Sequence, residues 1–478
     1  MKSRSIAKNA TLNVFKQCCN VLFPLILYLY VTRVLGASML GKYSFANSIM
    51  SIAMTCAGLG VSTYTVREGA RLRNNKEALT QYSSEVFTIN VIAMVVALAI
   101  VCALMVFSPK IREIWVILAI LCLDIVTNVF GRDWVNTLFE DFLYITIRYI
   151  AFQCIAIVLI LLFVKRPEDL LLYTCFMVVA NGGGYFINIF YTQKYVPFRL
   201  TKHPNFKKHM KPLLYLFGVS LAIQIYIQLD ITILGFLRSD YEVGVYTVVS
   251  KVYTITKSIL NAVIMVVLPR LSFHLGQNDQ SKYEGLLSKL RVAIFTLLPP
   301  FVLGVFCESK NILYLIGGKE YLEGVNTLKV LCIALSFAVF GCFYAQGVLV
   351  SKRDDKTFFI ATITSAIANT ALNFIAIPNF GMSGAALTTV VAEAIVFSIC
   401  FIRSKKYVHL HDLTWFKTVI TGSLAIIIIC YGIRVLRLSM IPELFVAIVL
   451  CAIAYIGILF AFKNPVAVAL ADKIIKYR

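Results

Sequence analysis

Apolar runs of about 20 residues follow one another along nearly the whole chain, broken only by short polar segments. A run of that length crosses ~30 Å of hydrocarbon as a helix. The pattern predicts spans near 12–31, 43–65, 85–107, 114–136, 143–163, 170–191, 213–236, 245–268, 292–307, 328–350, 357–377, 383–402, 416–436 and 443–462, about fourteen in all. The basic opening MKSRSIAKN precedes an apolar run with no small-residue cleavage site, so the first helix is expected to be retained and not removed as a signal peptide. No stretch is left for a soluble catalytic domain. The fold class expected is an all-α integral membrane protein.

Composition agrees with that pattern: mean hydropathy is +0.82 and 59% of residues are hydrophobic. Only 14% are charged, against ~25% in soluble domains. The net charge of +21 changes the picture only through its distribution. Lys and Arg favour one set of loops roughly two to one, with clusters at Arg67–Lys76, at Lys194–Lys211 and at the C-terminus. Both termini are thus placed on the cytoplasmic side, with an even number of spans between them. The basic excess marks topology and attraction to anionic membrane lipids, and no nucleic-acid partner is expected. The 13 cysteines show no C-x-x-C spacing and read as small hydrophobes, the Cys18-Cys19 pair included. No cofactor or metal is expected. There is no G-x-x-x-x-G-K-[ST], H-E-x-x-H or G-x-S-x-G, and the five histidines fall in predicted inner loops, so no enzyme is indicated.

The chain also repeats itself. Gly41-Lys42-Tyr43-Ser44-Phe45-Ala46 matches Gly244-Val245-Tyr246-Thr247-Val248-Val249, and the same offset carries Arg67 onto Arg270. Val34-Leu35-Gly36 corresponds to Ile233-Leu234-Gly235, and Phe130-Gly131 to Phe340-Gly341. Two six-helix halves in one orientation imply a pseudo-twofold axis along the membrane normal with a cavity between them. The organisation expected is a six-helix bundle at 1–200, a second at 201–408, and two additional helices with a cytoplasmic tail at 409–478.

Several segments resemble the polysaccharide (Wzx-type) flippases of the MOP superfamily, relatives of lipid II flippases and MATE exporters. They are Tyr30-Val31-Thr32-Arg33-Val34-Leu35-Gly36 with Gly41–Ala46; Asp133-Trp134 followed by Phe139–Arg148; Leu268-Pro269-Arg270-Leu271-Ser272; and Asn369–Asn373, Ile377–Gly381, Gly384-Ala385-Ala386 and Glu393. The resemblance runs over about residues 5–405. It implies a flippase that carries an undecaprenyl-diphosphate-linked oligosaccharide from the inner to the outer leaflet of the bacterial cytoplasmic membrane by alternating access. It also implies a groove for the lipid tail at spans thirteen and fourteen. A polysaccharide polymerase and glycosyltransferases are the further partners expected.

Ionisable groups at membrane depth are expensive, so they face a wet cavity or a partner. Helical spacing tells which of them share a face. Asn13, Lys16 and Asn20 form one stripe; Asp124, Asn128 and Arg132 a second; Gln224 and Gln228 a third. Lys251 and Asn261 line the next helix, and Asn369 and Asn373 a later one. Lys251, Arg148, Lys16, Arg33, Arg67 and Arg270 are candidates to meet a diphosphate, which cations attract strongly in a low-dielectric cavity. The alternatives are ion pairs that hold helices together and, for Arg67 and Arg270, anchoring at the headgroups. Asp124, Asp133, Asp230 and Glu393 are candidates for a coupling proton or sodium ion, with a salt bridge such as Asp133 to Arg132 as the alternative. Glu140 and Asp141 are expected to be solvated. Pro24, Pro299 and Pro300 are expected to bend helices, and Pro269 and Pro378 to end them. Gly182-Gly183-Gly184 permits close packing or a hinge.

Two rival functions stand beside the flippase. One is a MATE-like ion-coupled exporter of small organic molecules. The other is a membrane polymerase or ligase, which needs a catalytic outer loop; the longest here, about 308–327, offers only Glu308, Glu320 and Glu323 as acids.

Overall fold

Hydrocarbon offers the backbone no hydrogen bonds, so a chain this apolar satisfies its own amides as helix. The computed structural model describes residues 6–197, 199–407, 414–465 and 467–468, and helix is the only regular structure among them. In chain order the first unit has α1 (Ile6–Gly58), α2 (Val61–Leu72), α3 (Lys76–Phe107), α4 (Pro109–Arg112), α5 (Trp115–Gly131), α6 (Asp133–Leu138), α7 (Phe142–Phe163), α8 (Leu170–Val178), α9 (Gly184–Tyr191) and α10 (Phe206–Leu237). Then come α11 (Asp240–Gly276), α12 (Gln280–Cys307), α13 (Ser309–Gly317), α14 (Val325–Cys342), α15 (Asp355–Ser404), α16 (Thr414–Val435) and α17 (Met440–Ala461). The chain divides into two compact units, Met1–Gly244 and Val245–Arg478.

Twelve helical stretches among the described residues are long and apolar enough to span a bilayer. Two of them, Phe23–Leu72 and Asp355–Ser404, run for 50 residues each, about 75 Å at 1.5 Å per residue and far more than one crossing needs. Each is broken at a glycine: Gly36 has φ 71° in α1, and Gly381 has φ 56° in α15. Glycine adopts that left-handed backbone without steric cost. At Gly381 the chain folds back, so that Thr388 bonds Asn373 and Ser365 bonds the carbonyl of Ala392. The count of candidate spans is therefore twelve to fourteen, according to whether each broken stretch is taken as one crossing or two.

Three expectations are corrected. Pro269 and Pro378 lie inside α11 and α15 and do not end helices; in a bundle, neighbouring groups re-satisfy the carbonyls a proline frees. The ninth span is not short: α12 is 28 residues long, because it begins in polar sequence at Gln280 before it turns apolar.

In the first unit, α1 packs against α3, α5, α7 and α10. Phe45 lies fully buried against Gly235, and Thr232 donates to Ser48 at 2.9 Å. Backbones come closest near the start of the second half of α1. A Cβ at Gly41 would overlap the carbonyl of Asp240, and one at Gly244 would overlap the carbonyl of Ala37. In the second unit, α14 lies along α15 over a core that includes Leu260, Ile264, Tyr283, Phe343 and Leu349. The α16–α17 hairpin packs on α12 and α13. There Tyr455 donates to the carbonyl of Thr296 at 2.6 Å, and the Asn311 amide bonds both Glu308 and Glu443. Large apolar side chains such as Val96, Phe190, Val266 and Ile428 point outward, as lipid-facing positions do.

Candidate functional site

The first unit forms an open cavity of about 350 Å³ lined largely by polar residues. Three elements build most of it. From α1 come Asn47, Ser51 and Thr55, four residues apart and so on one face, with Met50 and Met54 beside them. From α5 come Asp124 and Asn128 at the same spacing, and α10 adds Gln224. The third wall is Tyr149 of α7 with Asn181 and Tyr185. Asn181 sits in a single π-helical turn, Val179–Gly183, between α8 and α9. Such a turn inserts a residue into the helix and is frequent at functional sites.

A side chamber of about 30 Å³ adjoins this cavity, lined by Asp133, Ile145, Arg148, Tyr149, Phe152, Asn181 and Tyr185. That is room for a water molecule. Its floor is an ion pair between Arg148 and Asp133. Arg148 is 8% exposed, and its guanidinium also lies over the rings of Tyr144 and Tyr185 at 5.4 and 5.2 Å. Asp133 opens α6 and is placed there by the left-handed turn at Arg132, φ 54°. Arg132 itself lies over the Phe87 ring at 4.2 Å. Asp133 thus pairs with Arg148, where the sequence suggests Arg132 beside it.

The second unit holds two buried polar groups. Lys257 pairs with Glu393, which also accepts from the Tyr253 hydroxyl at 2.9 Å. Asn373 donates to Asn369 at 3.2 Å and accepts from Thr388 at 2.5 Å. Lys251 is partly buried and has a partner of its own. Asn261 is partly buried with an Oδ1 that makes no hydrogen bond, and Gln228 is partly buried on α10.

The remaining sequence candidates are dispersed. Arg33 and Arg270 are exposed, and Arg67 bonds its neighbour Glu68. Asp230 has a partner. The side chains of Lys16 and Asn20 lie outside the described residues.

Sequence reading missed three features. Asp141 is not solvated: it is 3% exposed and accepts from the hydroxyls of Tyr191 and Tyr195 at 2.6 and 2.7 Å. Glu140 pairs with Arg73. His209 is not a loop residue but fully buried in α10, its Nδ1 2.9 Å from the Tyr64 hydroxyl and its Nε2 2.8 Å from Glu85. The segment ahead of it is tied to α3 as well, Thr201 N–H donating to Thr88 at 2.9 Å. These partners are far apart in sequence, and spacing within one helix carries no signal of them.

With that geometry in view, likeness to known proteins is informative. The chain is 21% identical over 406 residues to the "Putative O-antigen transporter" of Escherichia coli (strain K12), covering 84% of this chain and 98% of that protein. Its fold is similar to that of lipid II flippase MurJ in an inward closed conformation, with a TM-score of 0.73 at 15% identity, over 95% of this chain and 99% of the other. It also resembles an inward-facing multidrug resistance MATE family transporter of the MOP superfamily, with a TM-score of 0.59 at 14% identity, over 80% and 93% of the two chains. These neighbours bear the names of transporters and flippases, and none of an enzyme. The family described as "Polysaccharide biosynthesis protein" matches residues 6–273, more than half of the sequence, and this multi-pass membrane protein belongs to it.

Proposed function

We propose that the protein is a flippase for an oligosaccharide linked to undecaprenyl diphosphate, moving it from the inner to the outer leaflet of a bacterial cytoplasmic membrane by alternating access. The observation that carries this reading is the polar cavity inside a membrane-spanning unit. Its amides, hydroxyls and tyrosines (Asn47, Ser51, Thr55, Asn128, Tyr149, Asn181, Tyr185, Gln224) match the hydrogen-bonding needs of sugar hydroxyls and would be costly in hydrocarbon for any lesser reason. The transporter and flippase names of its neighbours support the same class. Lys251, with Lys16, Arg33, Arg67 and Arg270, is assigned to the diphosphate, whose charge attracts cations. The two halves would exchange access around a pseudo-twofold axis, with both termini cytoplasmic. Polymerase and glycosyltransferases would act on the same lipid-linked chain.

The test is mass spectrometry of lipid-linked saccharides in cells with and without this gene. Accumulation of one undecaprenyl-diphosphate oligosaccharide on deletion supports the flippase and names its cargo. The MATE-like fold keeps a small-molecule exporter as the second reading. An unchanged lipid profile together with ion-gradient-dependent efflux of a cationic dye would establish that instead.

A further inference from the structure

The spacing of the cysteines along the chain suggests no pairing, yet three of them meet in the second unit. Cys307 is the last residue of α12, Cys430 lies in α16 and Cys451 in α17. The sulfurs of Cys430 and Cys451 stand 3.7 Å apart, and the Cys307 side chain hydrogen-bonds Cys430. All three are free thiols. One thiol therefore touches two others, each presented by a different helix.

The surroundings hold the three in place. Cys430 and Cys307 are 1% and 7% exposed in an apolar cluster with Ile426, Tyr455 and Leu459, and Cys451 packs against it. Arg434, one turn after Cys430, donates to the carbonyl of Cys307 at 2.7 Å. Tyr455, one turn after Cys451, donates to the carbonyl of Thr296. The hairpin is thus seated on α12 with its sulfurs turned toward each other. A disulfide needs its sulfurs about 2 Å apart, a gap that side-chain rotation closes while the helices stay where they are. Cys451 is partly exposed, which gives an oxidant access. In the orientation proposed above, the ends of α12 and α16 face the outside of the cell. Thiols there are not kept reduced as they are in the cytoplasm.

We propose that Cys430 is the hub of a redox-active three-thiol site, forming a disulfide with Cys451 that Cys307 exchanges. In the first step Cys430 and Cys451 give two protons and two electrons to an external disulfide. That reagent leaves as two thiols, and one S–S bond forms in the protein. In the second step the Cys307 thiolate attacks the Cys430 sulfur. The Cys430–Cys451 bond breaks as the Cys307–Cys430 bond forms, and Cys451 takes up the proton that Cys307 lost. The first bond closes the α16–α17 hairpin on itself, and the second ties the hairpin to α12. The site goes beyond the flippase reading and does not depend on it.

The experiment uses the purified full-length protein in lipid nanodiscs. It is oxidised with dithiodipyridine, a small lipid-soluble disulfide, and remaining thiols are blocked with N-ethylmaleimide. Peptides are then mapped by mass spectrometry without reduction. A Cys430–Cys451 pair is expected. Cys451→Ser should move the link to Cys307–Cys430, Cys307→Ser should leave Cys430–Cys451 in place, and Cys430→Ser should remove both. Oxidation should also raise Tm by about 3 °C, since the bond closes a loop of the chain. Dithiothreitol should reverse that rise, and Cys430→Ser should lack it. Three cysteines that end up capped one by one, with no link among them, would overturn the proposal. So would a Tm rise that survives Cys430→Ser. Mapping of the unaltered protein decides the matter even where a serine variant fails to fold. The lipid profile of a deletion strain does not enter this result, so the site and the flippase reading fail separately.

Discussion

At the scale of single residues, the pair Arg148–Asp133 and the cation Lys251 make opposite predictions. Breaking a buried ion pair leaves a charge uncompensated and costs about 3–5 kcal/mol. Arg148→Ala should accordingly lower the unfolding temperature markedly, and the double variant with Asp133→Asn should recover part of the loss, as a thermal-shift double-mutant cycle would read. Lys251→Ala should instead leave membrane abundance normal and abolish flipping, with Lys251→Arg retaining part of it; full activity in the alanine variant would falsify the diphosphate role. How much of this was legible follows from what a helical stripe encodes. Spacing placed Asp124 and Asn128 on one face of α5 and picked out Arg148 and Asp133 as unusual. It could not pair Asp133 with Arg148 in place of Arg132, or Glu393 with Lys257, because those choices are made by the angle at which separate helices meet. Asp141 and His209 were misjudged for the same reason, each buried by partners that lie on other elements.

At the scale of elements, the hydrophobic pattern located the spans well because their length is fixed by the bilayer. It also left breaks at 32–42 and 378–382, where the structure has Gly36 and Gly381, and it was poorest where a helix continues into polar sequence, as α12 does. The start of α15 yields a test. Asp354 accepts from the N–H and hydroxyl of Thr357 and from Arg403 Nε, at 3.3, 2.8 and 2.9 Å. The hydrogen bond from Arg403 and those from Thr357 hold its carboxyl below the ordinary carboxylate range. A lowered folded-state value means that the stabilisation is complete above about pH 4 and is lost as pH falls through the folded value. Asp354→Ala should cost about 1 kcal/mol at neutral pH as a lost cap, and the gap from wild type should narrow in acid. A gap that is constant with pH in thermal unfolding would contradict this.

At the scale of the whole molecule, class and membrane habit were read from composition and periodicity. That a polar-lined cavity lies within the first unit was not, because it depends on contacts that no single stretch of sequence states. The bias of Lys and Arg predicts one more outcome: a fluorescent protein fused to either end should fluoresce, and alkaline phosphatase at the same positions should be inactive. Activity of the phosphatase at either terminus would reverse the proposed orientation. The seating of Gly41 on Asp240 and of Gly244 on Ala37 has a consequence for descent. Contacts in which one position meets a second, and the counterpart of the second meets the counterpart of the first, are what two identical chains make about a twofold axis. A half-length ancestor that paired with itself would have needed one small residue to serve both sides of such a seam. In a chain of that descent the copies would be free to drift apart almost everywhere, but a side chain gained at Gly41 or at Gly244 would strike the backbone of Asp240 or of Ala37. Glycine at both positions is what such a descent would leave behind.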